Sequence, residues 1–206
     1  MSDAVTHNFA PFIAENLGRE WEVTFGNWAV EDGRLTQVLP PGPDPTASMM
    51  ISGTQGETDV LSHLGGIVFS FPDGGVETVE LQLDMSLQRA EPASISLDDW
   101  GIEWGPYYAM KPVLIDTLNA VKAHEYDDEP WGELGPDTTH RININGNANA
   151  VVISVDGRER FRVRRSVSRP FRKIAVDTFA GVAISNVSIE TSGARPSPPR
   201  EKGVRP

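Results

Sequence analysis

Between residues 76 and 108 the chain sets carboxylates close to aromatic rings. "VETVELQLDMSLQ" at 76–88 carries Glu80, Gln82 and Asp84, and "SISLDDWGIEWGPYY" at 94–108 carries Asp98, Asp99, Trp100, Glu103, Trp104, Tyr107 and Tyr108. Two carboxylates held together either raise one pKa, so that one group donates a proton while the other accepts, or gather a calcium ion. Rings with an apolar face and a polar edge can stack on sugars, which suits Trp100, Tyr107 and Tyr108. A further set in "HEYDDEPWG" at 124–132, His124, Asp127, Asp128, Glu129 and Trp131, has the composition to bind calcium or to cap a sugar groove. In both stretches the competing reading is plain: acids on a solvated sheet face or loop keep the protein soluble.

Any such chemistry depends on strand positions. In 76–88 the odd residues Val79, Leu81, Leu83, Met85 and Leu87 are apolar and the even ones polar, which predicts a half-buried strand. The next strand starts in phase, with Ile95 and Leu97 inward and Ser96 and Asp98 outward, but Ile102 and Trp104 are apolar at even positions. A β-bulge near 99–101 would restore burial and leave Trp100 at the hinge, with Trp104 in the core. If 89–93 is a simple hairpin loop, Asp84 faces Asp98 and, past the bulge, Glu80 faces Glu103, with Cβ atoms about 4.5–5.5 Å apart. Pairing within one strand does not serve, because Glu80 and Asp84 are ~13 Å apart along it. The candidate catalytic residues are thus Glu80, Asp84, Asp98 and Glu103, and the candidate ligand-binding residues Gln82, Trp100, Tyr107, Tyr108 and Trp131.

The rest of the chain predicts an all-β scaffold. Short alternating segments recur at 21–24, 28–31, 34–38, 48–52, 66–71, 141–145, 150–156, 159–164, 172–177 and 182–191. Asp32-Gly33, Asp73-Gly74-Gly75 and Asp156-Gly157 supply the positive φ angles of tight hairpins. This punctuation predicts a two-sheet antiparallel β-sandwich, one domain over 1–191. A proline-rich loop at 39–47 lies on its rim. Val113, Leu114, Leu118 and Val121 approach helical spacing, so a short helix or ordered loop is expected within a long insert from Pro106 to Asp137. Residues 192–206, rich in Pro and Arg, are expected to form a flexible tail.

Charge and composition narrow the function classes. The net charge is −11, with 18 basic and 29 acidic residues, and 12 of the basic ones follow Gly157. An acidic body repels nucleic acid. No apolar run approaches the ~20 residues of a membrane span, and no leader pattern is visible, so a cytoplasmic location is the default expectation. There is no cysteine, hence no thiol chemistry. His7, His63, His124 and His140 lack the short spacing of zinc ligands. No Gly-x-Ser-x-Gly elbow, dinucleotide fingerprint or Walker loop occurs. No cofactor is called for, calcium being the one ion the acids could take.

"WEVTFGNWAVEDGRL" at 21–35 resembles the opening hairpin of concanavalin A-like jelly rolls. "HRININGNANAVVISVDGRERFRV" at 140–163 is similar to the strand, turn, strand, Asp-Gly, strand run of laminin-G-like domains, and "GVAISNVSIET" at 181–191 to the closing strand. Within that superfamily the opening looks most like bacterial domains of the 3-keto-glycoside hydrolase type, which implies sugar chemistry on a concave sheet. Their Asn-Ser-Gly strand motif is absent. Glucanase relatives carry Glu-x-Asp-x-x-Glu on one strand, where this chain has Glu80-x-Gln82-x-Asp84, so retaining chemistry on that template is not implied.

"RERFRVRRSVSRPFRK" at 158–173 holds eight basic residues, with Arg158, Arg160, Arg162 and Arg164 expected on one strand face. Charge of this kind guards an edge strand, or docks on an anionic polysaccharide or on the acidic body of a second copy in a homo-oligomer. The expected function is a carbohydrate-binding module. Glycoside hydrolysis by the face carboxylates and head-to-tail assembly are the alternatives.

Overall fold

The computed structural model describes residues 3–7, 21–38, 64–72, 74–87, 93–104, 113–116, 121–124, 138–165, 168–179 and 181–193. Two antiparallel sheets face one another. The first contains β1 (Asp3–His7), β3 (Asn27–Glu31), β4 (Arg34–Val38), β6 (Thr78–Leu87), β11 (Thr138–Gly146), β12 (Ala150–Val155), β13 (Arg158–Arg164) and β15 (Val182–Ser192). Its order is β13-β12-β11-β6-β15-β4-β3, with β1 also paired to β15. The second contains β2 (Trp21–Phe25), β5 (Leu64–Ser70), β7 (Ala93–Leu97), β8 (Trp100–Trp104), β9 (Val113–Asp116), β10 (Val121–His124) and β14 (Lys173–Phe179), in the order β10-β9-β8-β7-β14-β5-β2. The architecture is the expected all-β sandwich.

Period-two alternation builds the core between the sheets. Val79, Leu81, Leu83 and Met85 of β6 meet the layer formed by Ile95, Leu97, Ile102, Ile174 and Val176 of the second sheet, all buried. Asp32-Gly33 joins Glu31 to Arg34 with φ of 50° and 74°, and Asp156-Gly157 joins Val155 to Arg158 with φ of 52° and 75°. These are the twisted two-residue turns that right-handed strand pairs require. At Gly146 the strand passes so close to the core that an added Cβ would lie 2.6 Å from both Leu97 and Phe171.

Four expectations are corrected. Residues 94–105 are not one bulged strand but a hairpin, β7 and β8, turning at Asp98-Asp99 with Asp98 at φ 49°. The two-residue turn pairs Leu97 with Trp100 and Ile95 with Ile102, so odd residues before it share a face with even residues after it. That reversal is the phase break seen in the sequence. Second, the chain crosses between sheets after β6 rather than turning back, so Asp84 does not face Asp98, nor Glu80 Glu103. Asp84 lies between Arg141 and Ser185, and Glu80 between Asn145 and Glu190. Third, 113–124 contains the paired strands β9 and β10 where a short helix or ordered loop was expected. Fourth, the register between β12 and β13 shifts at Arg160, so the four arginines do not share one face. Glu159 and Arg162, three apart, fall on one side and join through bonds of 2.8 and 2.6 Å.

The strand expected at 48–52, the loop at 39–47 and residues 194–206 lie outside the described residues.

Candidate functional site

Each sheet turns one face outward, and the two faces differ chemically. On the eight-stranded sheet, Asp84 projects from the middle of β6 beside Arg141 of β11. Arg141 donates Nε to Asp84 Oδ1 at 2.9 Å and Nη2 to Oδ2 at 3.3 Å. A bulge in β15 swings Asn186, at φ 50°, over the same carboxylate, and its Nδ2 donates to Oδ2 at 2.7 Å. The bond from Arg141 holds the Asp84 carboxyl below the usual carboxylate range, against burial and with help from Asn186. Asp84, Thr139, Arg141, Asp156 and Gly157 line an open cleft of about 460 Å³. Asp156 is occupied as well, accepting from the Arg141 amide at 2.9 Å and bonded to His140 Nδ1 at 2.8 Å. Arg141 and Asn186 take three of the Asp84 acceptor sites and His140 and the Arg141 amide two of those of Asp156, so both carboxylates tie neighbouring strands together.

The outward face of the seven-stranded sheet is built differently. Its strands alternate cleanly, so Ile174 and Val176 of β14 point inward and Lys173, Ala175 and Asp177 outward. Cross-strand pairing aligns Glu103 with Ser94 and Ser94 with Asp177, a row of two acids flanking a hydroxyl. One strand spacing is about 4.8 Å, so the backbones of Glu103 and Asp177 stand about 9.6 Å apart. The parallel row beside it, Gly101, Ser96 and Ala175, has only small side chains. Gly101 is required there, because a Cβ would come 2.3 Å from the carbonyl oxygen of Ile95. Lys173 stands beyond that row on β14, so a row of small side chains lies between the two acids and this lysine.

Loss of hydration pushes the Asp177 carboxyl above the usual range, with Lys173 pulling the other way.

The sequence-derived candidates separate on this frame. Glu80, Gln82 and Asp84 face outward on the eight-stranded sheet, and Glu103 on the seven-stranded one. Asp98 is a turn residue whose Oδ1 accepts from the amides of Arg172 at 3.0 Å and Lys173 at 2.9 Å. Trp100 shares the inward side of β8 with Ile102 and Trp104 and packs against the core, so it is no outward platform. Tyr107, Tyr108 and Trp131, with Asp127, Asp128 and Glu129, lie outside the described residues. Among the described residues no three His, Asp or Glu side chains converge as a metal site. Sequence reasoning missed Ser94, Lys173 and Asp177. The alternation of "KIAVDTF" places Lys173 and Asp177 on one face, but only the insertion of β14 between β5 and β7 sets Asp177 beside Ser94.

No family model and no curated protein matches the sequence. Solved structures do match the fold. The Bacillus licheniformis β-glucanase superposes with a TM-score of 0.58 at 12% identity, over 93% of this chain and 98% of that one. The carbohydrate recognition domain of Emp47p gives 0.54 at 9% identity, over 93% and 95%. A sialidase gives 0.56 at 9% identity, with 90% of this chain covering 18% of that longer chain. The fold is a concanavalin A-like jelly roll. At such identities the likeness concerns backbone architecture, and the jelly roll's chemistry rests on its own side chains.

Proposed function

We propose that this jelly roll is a glycan-binding module, with the sugar lying across the outward face of the seven-stranded sheet. The row of Glu103, Ser94 and Asp177 beside the row of small residues carries the reading. Carboxylates and hydroxyls accept and donate to sugar hydroxyls in directions set by the sheet, and a floor without bulk lets a flat ring approach. A glucanase and a carbohydrate recognition domain among the structures of like fold support it. Tyr107 and Tyr108, which follow β8 in sequence, and Trp131 are the proposed stacking platforms in place of Trp100.

Isothermal calorimetry with a panel of neutral gluco-, galacto- and xylo-oligosaccharides tests it. Saturable binding should be lost in Asp177→Asn and Glu103→Gln and kept in Glu80→Gln on the opposite sheet. Equal binding by all four proteins, or none by the wild type, would overturn it.

A second reading, hydrolysis, is favoured by the same pair. Inversion uses carboxyl groups about 6.5–9.5 Å apart with water between them, two strand spacings set the backbones of the pair about 9.6 Å apart, and Asp177, held protonated to higher pH, would be the acid. New reducing ends from a bound oligosaccharide, abolished by either substitution, would mark this activity.

A further inference from the structure

Directly beneath the acid row, the inward side of the same strands holds polar groups that the core does not use. Trp104 follows Glu103 in β8 and Thr178 follows Asp177 in β14, and both point between the sheets, each 1% exposed. They flank Ala93, which pairs with Trp104 on one side and Thr178 on the other. Beyond Thr178 in the same row comes Gly65. There the opposite sheet closes down, for a Cβ on Gly65 would fall 2.3 Å from Gln37 Cγ and 3.2 Å from the Trp28 ring. Gln37 is itself 1% exposed.

Among the described residues, Trp104 Nε1, Thr178 Oγ1 and both amide atoms of Gln37 are buried with no hydrogen-bond partner. A buried amide, hydroxyl or indole N–H left unpaired keeps the full cost of its lost hydration, and native interiors rarely hold several together. Between them the three side chains present donors and acceptors from both sheets. The Gln37 side chain fills the space over Gly65 and so reaches the Thr178 end of the row, while Ala93 is the one small side chain between Thr178 and Trp104. Groups of mixed donor and acceptor sense suit ordered water, which makes about three hydrogen bonds when buried. A larger solute has no entry here, since all three residues are enclosed.

We infer that Gln37, Thr178 and Trp104 form an internal water-binding site between the sheets, under the Glu103–Ser94–Asp177 row. Its water bridges the two sheets at the end of β8 and β14, and so sets the level of the strands that carry the two outward acids. The inference does not depend on the glycan reading.

Oxygen-17 magnetic relaxation dispersion on the intact protein, paired with a high-resolution crystal structure, tests it. The wild type should show long-lived internal water, with density bonded to at least two of the three side chains. Thr178→Val should lower the long-lived water signal, and Gln37→Met, which removes both polar amide atoms at similar length, provides the same readout if the valine variant folds poorly. A dry interface in the wild-type crystal, or a relaxation signal unchanged in both variants, would overturn the inference.

Discussion

Glu103 and Asp177 stand on either side of Ser94, two strand spacings apart, on the same outward face of the seven-stranded sheet. They are separated by 74 positions in sequence and belong to β8 and β14, which do not pair with one another. The sheet order alone brings them together.

Asp177 should destabilise the fold at neutral pH. Burial raises its carboxyl pKa in the native state, so the native protein holds this proton more tightly than the unfolded chain. The contribution is favourable at acid pH and is lost as pH rises from the ordinary aspartate range through the raised value. Asp177→Asn should therefore melt higher than wild type at neutral pH, with the gap closing in acid. Thermal melts across pH 3–8, roughly the window in which carboxylates titrate, would show it.

Asp84 carries the opposite sign. Arg141 and Asn186 depress its pKa, so its contribution is present above the ordinary carboxylate range and disappears as pH falls through the lowered native value. Arg141→Met should move the acid-unfolding midpoint to higher pH. An unchanged midpoint would mean the pair adds nothing to acid resistance.

Asp98 is expected to be structural. It occupies a left-handed turn position and clamps the amides of Arg172 and Lys173. Asp98→Ala combines backbone strain with lost hydrogen bonds and should lower stability by about 1–3 kcal/mol in urea unfolding. Asp98→Asn, which tolerates the turn and keeps one acceptor, should lose less. Sugar binding, if present, should survive in both.

Gly146→Ala puts a methyl group against Leu97 and Phe171, and overpacking at a closed site should remove about 1–3 kcal/mol. The same denaturant series would measure it.

Glu80 and Glu190 are direct cross-strand neighbours on the eight-stranded sheet. Like charges so placed repel, so Glu190→Lys should stabilise by about 0.2–1 kcal/mol, and by less as salt is added. No gain in stability at low salt would show that the repulsion between the two acids adds nothing.

The strands of this protein were legible in its sequence because burial on one face imposes a period of two. β6 at 78–87, the Asp-Gly hairpins and the closing strand need nothing beyond neighbouring residues to be recognised. The inward assignments of Val79, Leu81, Leu83, Ile95, Leu97, Ile102 and Trp104 follow from the same alternation and agree with their burial. Even the change of phase at 98–100 was visible, though a two-residue turn and a bulge both shift parity by one, and the residues there fit either.

Which strands became neighbours was decided only in three dimensions. Pairing depends on how chain crossovers stack two sheets, and no local pattern records whether 88–92 turns back or crosses over. Thus Asp84 met Arg141 and Asn186 instead of Asp98, and Glu103 met Ser94 and, through it, Asp177. Sequence determined which face each acid would take. The tertiary structure chose its company, because sheet order is settled by burying every apolar face at once, a property of the whole chain.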